Sequence, residues 1–167
     1  MLALHISSTK QFMNHLLTGD CFSSFLLESA TVTTFNTFTV DGRIHPEFYN
    51  NEDPAYDDKT KYSFSPYSDI QEFLFSYIKG SRTPLHIKIT LLLKPEAMEK
   101  LLSDETCTVQ KDLISAFALN IKYDGSKIIL TTVISYNGFT MDKSAEPIWD
   151  IALKKFLSSK EIAFEEI

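Results

Sequence analysis

Arginine is nearly missing from this 167-residue chain, where only Arg43 and Arg82 occur, so the planar forks that usually grip phosphates and carboxylates are scarce. Acids outnumber Lys and Arg by 22 to 16, a net charge of -6, which argues against non-specific nucleic-acid binding because that affinity comes from cations displacing counterions. The two cysteines, Cys21 and Cys107, lie far apart in sequence and in no C-x-x-C spacing, so neither a disulfide framework nor a zinc knuckle is suggested and reduced thiols are expected. No apolar run approaches the roughly 20 residues of a membrane span. Met1–Ile6 lacks a basic n-region and a cleavage site, so it is not read as a signal peptide and the expectation is cytoplasmic. All five glycines sit at helix stops or turns, leaving none to cradle a phosphate; neither G-x-x-x-x-G-K-[ST] nor G-x-G-x-x-G occurs, and no cofactor is implied.

What remains is the composition of an ordinary globular protein, 44% hydrophobic and 13% aromatic, of a size expected to form a single domain over residues 1–167. The patterning predicts an α+β fold with a mainly antiparallel sheet and about four helices. Leu2–Ile6 reads as a strand, and Ser8-Thr9-Lys10-Gln11 has the form of a capping box opening a helix to Leu17, with Phe12, Met13, Leu16 and Leu17 on one face. Phe22–Leu27 and Ala30–Val40 read as extended, with a bulge near Asn36 and a tight turn at Asp41-Gly42 before Arg43-Ile44. Residues 45–61 form an acidic surface excursion. Ser68 or Asp69 is expected to cap a helix burying Ile70, Phe73, Leu74, Tyr77 and Ile78.

Leu85, Ile87, Ile89, Leu91 and Leu93 alternate with polar residues and define a strand with one buried face. Pro95 opens a helix to Leu102; Phe117–Tyr123 and Lys127–Tyr136 read as a hairpin about Asp124-Gly125. A last helix, entered near Ser144 and Pro147, buries Trp149, Leu153, Phe156 and Leu157, and the tail adds an edge strand. Strand, helix, extended region, hairpin and helix recur in residues 1–83 and 84–167, an order that two diverged halves would produce and that α+β domains also reach by accident.

Few residues announce chemistry. His5, His15, His45 and His86 lack metal-ligand spacing, and the acidic run Asn51–Asp58 lacks the glycine and terminal glutamate of a calcium loop. No nucleophile elbow is present. Lys79-Gly80-Ser81-Arg82-Thr83 is the most cationic segment: an anion contact through Lys79 and Arg82 is one reading, and cations complementing a helix C-terminus the other. Thr31, Thr33, Thr37 and Thr39 share one strand face, either solvated or a flat partner-binding surface. A site assembled from distant residues would draw on His5, His86, Arg82 and Glu96.

Thr34-Phe35-Asn36-Thr37-Phe38 with Asp41-Gly42, then Lys79–Leu85, then Met141-Asp142-Lys143-Ser144, resemble an uncharacterised bacterial protein family of similar length over nearly the whole chain. That resemblance implies no activity and carries over no functional residue. In outline the two strand-helix-strand-strand units are also similar to a domain of DNA sliding clamps, from which the acidic balance departs. The function expected is a non-enzymatic binding or assembly module using a sheet face or edge, with a protein partner or a second copy; the alternatives are a ligand binder or enzyme with a dispersed site, and a clamp-like protein.

Overall fold

The computed structural model describes residues 1–80 and 82–167. Chain order is β1 (Ala3–Ile6), α1 (Thr9–Leu17), β2 (Phe25–Thr33), β3 (Thr37–Asp41), α2 (Tyr56–Lys59), β4 (Ser65–Pro66), α3 (Tyr67–Ile78), β5 (His86–Leu93), α4 (Pro95–Leu102), β6 (Ile114–Tyr123), β7 (Ile128–Tyr136), α5 (Ala145–Ser159) and β8 (Phe164–Glu166). The strands form one antiparallel sheet of order β3-β2-β5-β6-β7-β1-β8, with β4 paired to β2. The α+β expectation is met.

The alternation in β5 and β6 sends Ile87, Ile89, Leu91, Phe117, Leu119, Ile121 and Tyr123 into one buried core. Phe12 and Leu16 of α1, Leu74 of α3, Leu102 of α4 and Trp149, Leu153 and Leu157 of α5 enter the same core, so these helices lie on one sheet face. Trp149 stacks on Phe117 at 5.6 Å between ring centroids and donates its indole N–H to the Ala118 carbonyl at 2.9 Å, which satisfies its polar edge. Ser8 caps α1 as its sequence promised, accepting from the Gln11 N–H at 3.3 Å.

Several expectations are corrected. The first hairpin turns at residues 34–36, not at Asp41-Gly42, because β2 and β3 pair in unbroken register from Thr33↔Thr37 to Ser29↔Asp41. The irregularity lies between Leu27 and Ser29, where β2 shifts register against β5, not at Asn36. Gly42 serves close approach: a Cβ there would stand 1.8 Å from the Leu27 carbonyl oxygen. α3 starts at Tyr67 after Pro66 with no side-chain cap, so neither Ser68 nor Asp69 holds the position expected. That start turns the stripe: Tyr67 is buried and Phe73 is 57% exposed. Leu85 is 58% exposed because the strand begins one residue later, at His86.

The repeated order is not a symmetry of the sheet. β5 lies between β2 and β6, whereas β1, its counterpart in the first half, lies between β7 and β8. The outer face stays largely open, except that Tyr62 and Phe64, which follow the excursion, cover Leu26, Leu92 and Ala118. The excursion itself carries a turn of 3-10 helix at Pro46–Phe48 besides α2.

Candidate functional site

α1 and α3 are locked together through a helix end. The Leu16 carbonyl, near the α1 C-terminus, accepts from the buried Tyr67 hydroxyl at 2.6 Å and from Gln71 Nε2 at 3.0 Å. Burial pushes the Tyr67 hydroxyl pKa up, so it stays a donor. With α1 fixed this way, a cleft of about 480 Å³ opens beside it. Thr9, Lys10, Met13 and Leu17 of α1 form one wall, Ile78 with Lys79, Gly80, Arg82, Thr83 and Pro84 of the α3–β5 connection form the other, and Ile87 and Tyr123 form the floor.

The lining carries Lys10, Lys79 and Arg82 and no acidic residue, in a chain whose net charge is -6. Among the described residues none of the three cations forms an ion pair. Lys79, Arg82 and Thr83 also line a second cleft of about 390 Å³ on the far side of the connection, with Thr34, Phe35, Tyr77 and Leu85. Tyr77 holds that side, donating to the Asn36 carbonyl at 2.9 Å, contacting the Asn36 amide oxygen and stacking on Phe38 at 4.9 Å. Ser81, part of the cationic segment, lies outside the described residues.

The other residues singled out from sequence do not join them. His86 pairs with Thr33 and His5 with Ile129 and Glu165, so three strand steps across β6, β7 and β1 separate the two imidazoles. Glu96 lies beyond the opposite end of β5, roughly 25 Å of strand from His86. It accepts from the Tyr62 hydroxyl at 2.7 Å and pairs with Lys61 Nζ at 3.1 Å, pinning the excursion to the first turn of α4. The Tyr62 hydrogen bond, a backbone hydrogen bond and Lys61 hold its carboxyl down at about 2. A depressed carboxyl pKa contributes order that is complete above the ordinary value of 4.5 and lost as pH falls toward 2. Hydrogen exchange of residues 45–64 is therefore expected to accelerate through that window ahead of β5 and β6, and Glu96→Gln to show the faster exchange already at neutral pH.

Thr31, Thr33, Thr37 and Thr39 do share the outer face, as paired neighbours Thr31↔Thr39 and Thr33↔Thr37. The Thr33 and Thr37 hydroxyls are 3.2 Å apart, spending their polarity on each other. Among the described residues no group of three metal-ligating side chains assembles, and no helix is long and apolar enough to cross a membrane. Cys21 is buried, and that burial raises its thiol pKa, away from thiolate chemistry.

Lys10 lines the cleft without any local sequence pattern announcing it. It lies 69 positions before Lys79, and only the half-buried Met13 and Leu17 flanking the apolar face of α1 hinted that this flank borders a cleft. A protein-family model described as a family of unknown function (DUF5721) matches residues 15–165, in keeping with the expected kinship to an uncharacterised family. No curated protein and no solved structure matches.

Proposed function

We propose, for a chain that belongs to the family of unknown function DUF5721, a non-catalytic role in binding a small organic ligand that carries negative charge, held in the cleft between α1 and the α3–β5 connection. The observation that carries this reading is the lining: three cations and no acid around an apolar floor, in an acidic protein. Cations facing a low-dielectric wall focus a local positive potential that the net charge does not cancel at short range. The volume is in the range of sites for drug-sized ligands, which are lined mainly by apolar groups with a few polar anchors. Among the described residues no metal-ligating set stands beside the cations, and the role proposed is capture.

The test is titration with 8-anilinonaphthalene-1-sulfonate, an aromatic anion whose emission rises in apolar surroundings. One saturable site is expected in the native protein, weakened at least about tenfold when Lys10, Lys79 and Arg82 are all replaced by Glu, since each lost charge contact is worth on the order of 1 kcal/mol. Unchanged affinity in a triple variant with native circular dichroism would refute the reading.

A second reading, assembly through a sheet edge, is favoured by the contrast between the two edges. β8 is three residues long and presents Glu165 and Glu166, whereas β3 runs Thr37-Phe38-Thr39-Val40 before its first charge at Asp41. Charged residues on an edge discourage pairing, and their absence leaves free N–H and C=O groups as a template. A two-fold axis at Thr39 would pair all five residues of β3 with those of a second copy. Sedimentation velocity is expected to show a dimer that Thr39→Lys converts to monomer; a native protein that stays monomeric at high concentration would dispose of this reading.

A further inference from the structure

We infer that the ligand of this cleft is a single-chain amphiphile, a hydrocarbon tail ending in a carboxylate or phosphate, an inference that rests on the binding role proposed above. Charge and apolar surface are separated within the cleft. The cations stand at its rim, with Lys10 on α1 and Lys79 and Arg82 on the connection facing it, and all three are exposed. Below them Met13, Leu17, Ile78 and Ile87 supply flexible or branched aliphatic surface, and Ile87 is buried. A compact anion such as phosphate would use the rim and leave that floor wet. A neutral hydrocarbon would cover the floor and leave the like-charged rim unrelieved. A tail on the floor with its anionic head among the cations satisfies both, and polar and apolar groups so divided are what orient a ligand within a pocket.

The cleft is closed beneath by β5 and β6, which supply Ile87 and Tyr123, and a single tail lying along that floor is the occupant inferred. Tyr123, only 6% exposed, completes the floor beside Ile87. Lys and Arg differ in what they lend the head: Arg82 supplies a fork suited to two oxygens, whereas Lys10 and Lys79 act as point charges. The head is therefore anionic, with carboxylate and phosphate sharing one chemistry.

The experiment is displacement of bound 8-anilinonaphthalene-1-sulfonate by free chains below their micelle concentration. Dodecanoate and dodecyl phosphate are expected to displace it at least about tenfold more effectively than dodecanol, and dodecyltrimethylammonium not at all. Along a series from hexanoate to dodecanoate, affinity is expected to rise about threefold to fourfold per methylene until the floor is filled. In the variant carrying Lys79→Glu and Arg82→Glu the advantage of dodecanoate over dodecanol is expected to vanish. Equal binding of dodecanol and dodecanoate to the native protein would overturn the inference, as would acetate or inorganic phosphate binding as tightly as dodecanoate. Sedimentation with phosphatidylglycerol vesicles without binding of any free chain would also overturn it. If the fluorescent anion binds at the cleft and no chain displaces it, this inference fails and the broader binding role stands; if the fluorescent anion does not bind, the role itself fails.

Discussion

Replacing Phe22 by Ala is expected to cost about 3–5 kcal/mol of folding stability, read as a fall in Tm of roughly ten degrees or more for a chain of this size. Phe22 is 1% exposed and stands in the turn between α1 and β2. Its ring meets Phe12 at 5.9 Å, Phe25 at 5.8 Å, Tyr67 at 6.3 Å and Phe156 at 5.5 Å between centroids, mostly edge to face. One side chain thus joins α1, α3 and α5 to β2. Truncation leaves a void bounded by four rings carried on four different elements, and four rigid rings cannot collapse into it together, which places the cost at the upper end for core deletions. The matched control is Phe35→Ala: that ring is 92% exposed, and a change within about 0.5 kcal/mol is expected. Both are measured by urea denaturation at constant m-value.

Phe22 also shows where sequence reading reached its limit. Phe22–Leu27 reads as extended, yet Phe22 lies in a turn and the strand begins at Phe25. Alternation reports which residues share a face once a strand exists, so the interiors of β5 and β6 were legible residue by residue, as were the Ser8 cap and the burial of Trp149. It carries no signal for where a threonine-rich run reverses. Thr34 and Asn36 look like strand residues until Tyr77, 41 positions after Asn36, supplies the hydrogen bond that holds the turn. Helix phase failed for the same kind of reason: Phe73 and Tyr67 are both large and aromatic, and only the acceptor at Leu16 decides that Tyr67 points inward. The cationic half of the cleft, Lys79 and Arg82, was readable because it is contiguous. Its other half was not, because pairing α1 with the α3–β5 connection is a consequence of strand order, and no local pattern encodes that.

Gly42→Ala is expected to be at least as damaging as many core deletions, costing about 3 kcal/mol or more, although it adds a single methyl group. The added carbon would lie 1.8 Å from the Leu27 carbonyl oxygen and 2.7 Å from its carbon, and both are backbone atoms with no rotamer to change. Relief requires the β3 end to lift away from the irregularity between Leu27 and Ser29. That motion breaks the Gly42 N–H bond to the Glu28 carbonyl, 2.9 Å, and the bonds that the Gly42 carbonyl accepts from Ser65 N–H at 2.7 Å and Ser65 Oγ at 3.0 Å. The second set anchors the return of the excursion into β4, so its loss releases the cover over Leu26 and Leu92. Leu27 pairs with Leu91, four residues along β5 from Ile87 in the cleft floor, roughly 13 Å away. The damage is therefore expected to be directional. In conditions where Gly42→Ala remains folded, hydrogen exchange should rise across residues 41–66 while binding of 8-anilinonaphthalene-1-sulfonate at the cleft keeps its native affinity. Loss of that binding together with retained protection of 41–66 would show that the two ends of β5 do not separate as the packing indicates.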